Sequence, residues 1–142
     1  MHAIVRAICH AALWACAIPA VASNDFTIAP NTSGGFGHYF WSIGIEGAAA
    51  VANPPLYLAR GTTYTFGIAT TAIHPFWIKT VQGTGSINAY AGGGLSANGV
   101  TTSTSVTFDV PGDAPDTLYY DCGNHAEMTG PIHVVIFRDG FD

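Results

Sequence analysis

From about residue 26 onward, apolar and polar positions alternate with a period of two. Ser105-Val106-Thr107-Phe108-Asp109-Val110 sends every second side chain to one face and stops at Pro111-Gly112-Asp113, a cluster of turn formers. Residues 40–45, 63–68 and the short run Leu56-Tyr57-Leu58 read the same way, with a turn at Arg60-Gly61 between the last two. Leu118, Tyr120 and Cys122 share a face, and Ile132, Val134 and Ile136 form the inward row of a final strand. His74-Pro75-Phe76-Trp77-Ile78 reads as a further strand, with His74, Phe76 and Ile78 on one side and Trp77 and Lys79 on the other. Phe26 and Ile28 suggest a first strand. No convincing stretch holds a helical period. About seven or eight strands at this spacing predict an all-β fold, a Greek-key β-sandwich.

The segment between Val81 and Thr102 is rich in Gly, Ser and Asn and predicts a long loop with at most one turn of helix. Its glycines serve turns, and it lacks a phosphate-loop lysine. There is no internal repeat and no second domain.

Residues 1–22 follow a different pattern. Arg6 is their one charge, an apolar run leads to Ala20-Val21-Ala22, and the small residues there suit a signal peptidase. Such a leader directs export, to the periplasm or outside the cell, and leaves residues 23–142 as a single domain. The run is too short for a membrane span. The competing reading, lipidation of Cys16, suffers from the bulk of Trp14 beside it.

Charge narrows the function further. Four Lys and Arg against nine Asp and Glu give a net charge of −5. A chain this acidic has no basic face for nucleic acid, while a basic redox partner stays compatible with it. Asp121 and Glu127 read as solvated, and the sequon Asn31-Thr32-Ser33 matters only in a glycosylating host.

Of the three cysteines, Cys9 and Cys16 fall in the leader, so the exported domain keeps Cys122 alone. Exported cysteines normally pair as disulfides. A lone one is either a buried, inert small hydrophobe or a metal ligand. Its neighbours favour the metal: Cys122-Gly123-Asn124-His125-Ala126-Glu127-Met128 offers thiolate, imidazole and thioether three residues apart, on the loop between two strands. With His74 from the distant strand, the set is two imidazoles, one thiolate and a weak thioether. Those are the donors of a blue, type 1 copper site. Soft sulfur suits Cu(I), imidazole suits both oxidation states, and one compromise geometry serves both. His38, in a Gly-rich stretch far from the loop, and His133, on the outward face of the last strand, are not expected to bind. Trp77, Tyr119 and Tyr120 read as packing residues.

The chain resembles the cupredoxins, the plastocyanin and amicyanin group, and residues from about 53 to 137 resemble a bacterial secreted cupredoxin-like branch of it. The resemblance lies in His-Pro-Phe-Trp-Ile at His74 and in Leu-Tyr-Tyr-x-Cys-x-x-His-x-x-Met-x-Gly around Cys122, His125 and Met128. It implies that His74, Cys122 and His125 are equatorial ligands of one copper ion, with Met128 axial. It further implies an electron carrier; the loop position of His125 predicts that a redox partner docks there, against Ala126, Pro131 and Pro75. Pro75 departs from the family pattern: a polar residue usually ties the two ligand segments together there, and proline has no N–H to donate. No nucleophile–base pair or paired carboxylates stand near the site, so an enzyme is not expected. A monomeric electron carrier is the leading expectation. A copper scavenging or delivery module, or a structural domain without a redox role, are the alternatives.

Overall fold

The computed structural model describes residues 25–136, and every regular element among them is a strand. The leader with its cleavage site, Cys16 and the C-terminal tail lie outside the described residues. Nine strands run β1 Phe26–Asn31, β2 Phe40–Ile45, β3 Val51–Ala52, β4 Leu56–Ala59, β5 Thr63–Ile68, β6 Phe76–Lys79, β7 Thr104–Asp109, β8 Thr117–Cys122 and β9 Thr129–Val135. They form two sheets, ordered β3-β2-β1-β5-β7 and β4-β9-β8-β6. The fold is the all-β sandwich that the alternation predicts. The two-residue edge strand β3 raises the count to nine.

Both sheets are mixed, because β1 pairs with β5 and β4 with β9 in parallel. The turn at Arg60-Gly61 therefore carries the chain from one sheet to the other. Gly61 takes φ 74°, in the left-handed region that glycine enters without a Cβ penalty. Phe66, Phe108, Ile28, Ile43 and Trp41 from the first sheet meet Leu56, Leu58, Ile78, Leu118, Tyr120 and Ile132 from the second in one continuous core. Among the described residues, no helix is long and apolar enough to cross a membrane.

Four local expectations need correction. His74 precedes its strand: its N–H bonds to Thr71 O at 2.9 Å in a turn, and β6 starts at Phe76 because Pro75 has no N–H to pair. Ile136 leaves the inward row and is 72% exposed, since β9 ends at Val135 opposite Ala59, where β4 also stops. The glycine-rich loop contains no helical turn. It is stitched to the sheets by isolated bridges, Phe76 to Val100, Lys79 to Ala89 and Leu95 to Phe108. Asp121 is not solvated but 2% exposed, on the strand face opposite the core, where it shares a covered polar region with Lys79.

Lys79 sits there fully buried, its ammonium donating to Gly83 O and Thr84 O. The loop over residues 82–85 thus covers this face. Burial pushes the Asp121 carboxyl above its ordinary pKa, against the pull of Thr129, Lys79 and the Gly83 backbone.

Candidate metal centre

β6 and β8 pair with Phe76 opposite Cys122, which sets the turn before β6 beside the loop after β8. That register closes the 48-residue gap between His74 and Cys122. The Cys122 Sγ lies 3.8 Å from His74 Nδ1 and 3.6 Å from His125 Nδ1. All three donor atoms fall within 4.8 Å of one another. For metal–sulfur and metal–nitrogen bonds of about 2.3 and 2.05 Å, one shared ion spaces S from N by about 3.6 Å at a tetrahedral angle and about 3.8 Å at a trigonal one. The three side chains are therefore placed to hold one ion with little movement.

The fourth candidate, Met128, is fully buried and joins the same core. Its carbonyl accepts from Cys122 N at 2.9 Å and its N–H donates to His125 O at 3.2 Å, so the loop closes on itself between β8 and β9. His74 and Cys122 are buried and His125 is half-buried, which makes His125 the most exposed of the four.

Backbone bonds hold this arrangement, and they resolve the difficulty at Pro75. Proline cannot donate, but its carbonyl accepts: Gly123 N bonds to Pro75 O at 2.8 Å, directly tying the two ligand segments. Asn124 adds a second tie, its side-chain amide donating to Ile73 O at 2.8 Å. Its backbone N–H points at Cys122 Sγ from 3.5 Å. Thr70 Oγ1 donates to His74 O, and Gly85 N donates to Gly123 O at 2.7 Å. A side chain at Gly123 would press on Trp77 Nε1 at 3.0 Å and Pro75 Cβ at 3.2 Å, so glycine permits the close approach of the two segments.

Burial favours the neutral forms of both Cys122 and His74. Burial pushes the Cys122 thiol up, partly countered by the amides of Asn124 and His125. Burial, and then the neighbouring His125, pull His74 down. A soft cation would reverse the first preference and keep the second, since it binds thiolate and neutral imidazole.

Two residues of the site carry no sequence signal. Tyr39, just before β2, stands edge-on to both imidazoles, with ring centroids 5.8 Å from His74 and 4.9 Å from His125. The Gly-rich stretch is thus beside the loop rather than far from it, although His38 itself is exposed. Asn53 bridges β2 to the metal loop: its Oδ1 accepts from Trp41 N at 2.8 Å, and its Nδ2 donates to Glu127 O at 2.9 Å. His133 stays away from the centre, its ring 5.1 Å from that of Tyr57.

No protein-family model matches the chain, and no curated protein does. Among solved structures, the chain is similar to a purple cupredoxin from Nitrosopumilus maritimus. Identity there is 16% over 80% of this chain and 100% of that one, with a TM-score of 0.46. It is also similar to Fet3p, a multicopper oxidase that functions in iron import, at 13% identity over 82% of this chain and 24% of the other, TM-score 0.42. A third is Lac15 from a marine microbial metagenome, at 14% identity over 84% and 34%, TM-score 0.44. At such identities the metal centre stands on the distances above.

Proposed function

We propose that this chain is an exported cupredoxin that binds one copper ion at His74, Cys122, His125 and Met128 and carries single electrons. The observation that supports it most is the convergence of one thiol and two imidazole nitrogens within 4.8 Å. The donor chemistry selects copper: a thiolate, with the buried Met128 thioether on the same loop, suits Cu(I), and two imidazoles suit Cu(II) as well. Copper held there would supply a reversible one-electron couple. The protein's part is to keep the donors fixed through both states. The backbone tie from Gly123 to Pro75 and the side-chain tie from Asn124 to Ile73 do this for the thiol and His74, and the closed 125–128 turn does it for His125. His125, the most exposed donor, is the exit toward a partner, with exposed Ala126 next to it in the chain.

The decisive experiment adds Cu(II) to residues 23–142 and records the visible spectrum. An intense thiolate-to-copper band that disappears in Cys122→Ser supports the reading. A colourless complex, or equal copper uptake by the mutant, overturns it. Electron self-exchange then separates two roles: fast exchange marks a carrier, whereas ready loss of copper to an acceptor marks a delivery module.

A further inference from the structure

Tyr39 has no place in the donor set, yet its ring meets both histidines at once. Its plane is 90° to His74 and 83° to His125, and the imidazoles lie 4.6 Å apart, so the three rings form one cluster. Edge-to-face pairs at these separations attract beyond their area of contact. Tyr39 is also firmly placed. It is half-buried against the core and lies two residues from Trp41, which is fully buried and bonded through its N–H to Asn53.

The segment before it is built differently. Among the described residues, the backbone bonds of residues 32–38 stay inside the loop, Gly35 N to Thr32 O and His38 N to Gly35 O. Its Ser33 turns back on Asn31 Oδ1, and Gly35 and Gly37 hold positive φ. At its tip Phe36 is 91% exposed and touches only the outer side of the cluster, its ring 6.3 Å from Tyr39.

We propose that Tyr39 is a positioning residue of the metal centre: its ring bears on His125, the donor nearest solvent, and closes that side of the thiol. To swing away from Cys122, His125 must displace this ring. Metal exchange and access of small molecules to the thiol therefore both pass through movement of Tyr39. The metal-holding half of this inference rests on the copper reading; the shielding of the thiol does not.

The test uses one protein in two states. In the metal-free protein, the rate at which a disulfide reagent such as 5,5′-dithiobis(2-nitrobenzoate) modifies Cys122 reads the cover directly. In the copper-loaded protein, the rate of copper loss to a strong chelator reads the hold on His125. Tyr39→Ala is expected to raise both rates about 10-fold or more, the size of effect seen when a residue supporting a metal ligand is lost. Tyr39→Phe keeps the ring and is expected to stay near the wild-type rates. Tyr39→Leu, which keeps some apolar bulk but not the ring, serves if the alanine variant fails to fold, and should raise both rates by less than alanine does. Phe36→Ala, on the outer side, should change neither rate.

Unchanged rates in Tyr39→Ala or Tyr39→Leu would overturn the proposal, as would a Phe variant as fast as Ala. Faster thiol modification without faster copper loss would overturn the hold on His125 and leave only the cover. A wild-type protein that takes up no copper sinks the copper reading alone, and the thiol arm still decides whether Tyr39 shields Cys122.

Discussion

The two ends of the sandwich are held together by different physics. β2 begins, and β8 ends, at the metal end, where the loops over residues 32–39, 69–75 and 123–128 contain one Asp, Glu, Lys or Arg in all, Glu127. Order there comes from backbone hydrogen bonds, such as that from Gly123 N–H to Pro75 O, and from the rings of Tyr39, His74 and His125. At the opposite end the turns carry Glu46, Arg60, Asp113 and Asp116, and β7 ends at Asp109. Arg60 acts as a clasp there, donating to Gly112 O and Ala114 O and pairing with Asp116 at 2.5 Å. The contrast teaches how a cation site can be made stiff without fixed charges. Neutral dipoles and rings restrain the donors and would leave the charge of the site to a bound ion and the thiolate it holds. Exposed ion pairs would add little rigidity, since water screens them.

If that division holds, damage at the far end costs stability and leaves copper alone, while damage at the metal end costs both. The largest expected effect is Gly94→Ala. A Cβ there would sit 1.9 Å from Asp109 O, and the residue has φ 77°, so the glycine-rich loop must peel from β7. A loss of more than about 3 kcal/mol is expected by thermal or urea unfolding. The copper spectrum of whatever remains folded should be unchanged; an altered spectrum would mean that the two ends are mechanically coupled.

Next in size is Asn53→Ala at the metal end. It strips the acceptor from the buried Trp41 N–H and frees the Glu127 carbonyl, at a cost of about 2 kcal/mol. Part of any loss belongs to the backbone, because Asn53 adopts φ 41°. Asn53→Gly separates the two, since glycine tolerates that φ. Both variants should lose copper faster than wild type. Wild-type copper retention in both would show that β2 does not help to hold the loop.

Most of the fold was legible because period-two alternation directly records which face of a strand is buried. Val106 and Phe108, or Leu118 and Tyr120, announce themselves this way, and the donors at Cys122, His125 and Met128 do so by close spacing. What stayed hidden depends on pairing between distant segments. Nothing local distinguishes a hairpin at Arg60-Gly61 from a crossover between sheets, so the parallel pairings of β1 with β5 and β4 with β9 could not be read. Asp121 looked solvated because alternation says only that it faces away from the core. The cover over that face comes from residues 82–85, which Lys79 draws in by its ammonium. Tyr39 and Asn53 act on the metal loop across more than seventy residues of sequence, and a single sequence carries no trace of such a contact.

The clasp at the far end supplies the smaller tests. Arg60→Ala removes two bonds to carbonyls as well as the ion pair, and should cost about 1–2 kcal/mol with copper binding intact. Asp116→Ala removes the ion pair alone. The Arg60 side chain is only 14% exposed but that of Asp116 is 94% exposed, so solvent screens the pair heavily. The expected loss is under about 0.5 kcal/mol, shrinking further in 1 M salt. Measuring both variants at low and high salt divides the clasp into its parts. If Asp116→Ala proves as costly as Arg60→Ala, the carbonyl bonds count for little and the far end is held by charge. If the salt-insensitive part dominates, the acidic turns are fastened as the metal end is, by hydrogen bonds to the backbone, and the difference between the ends lies in which group donates them.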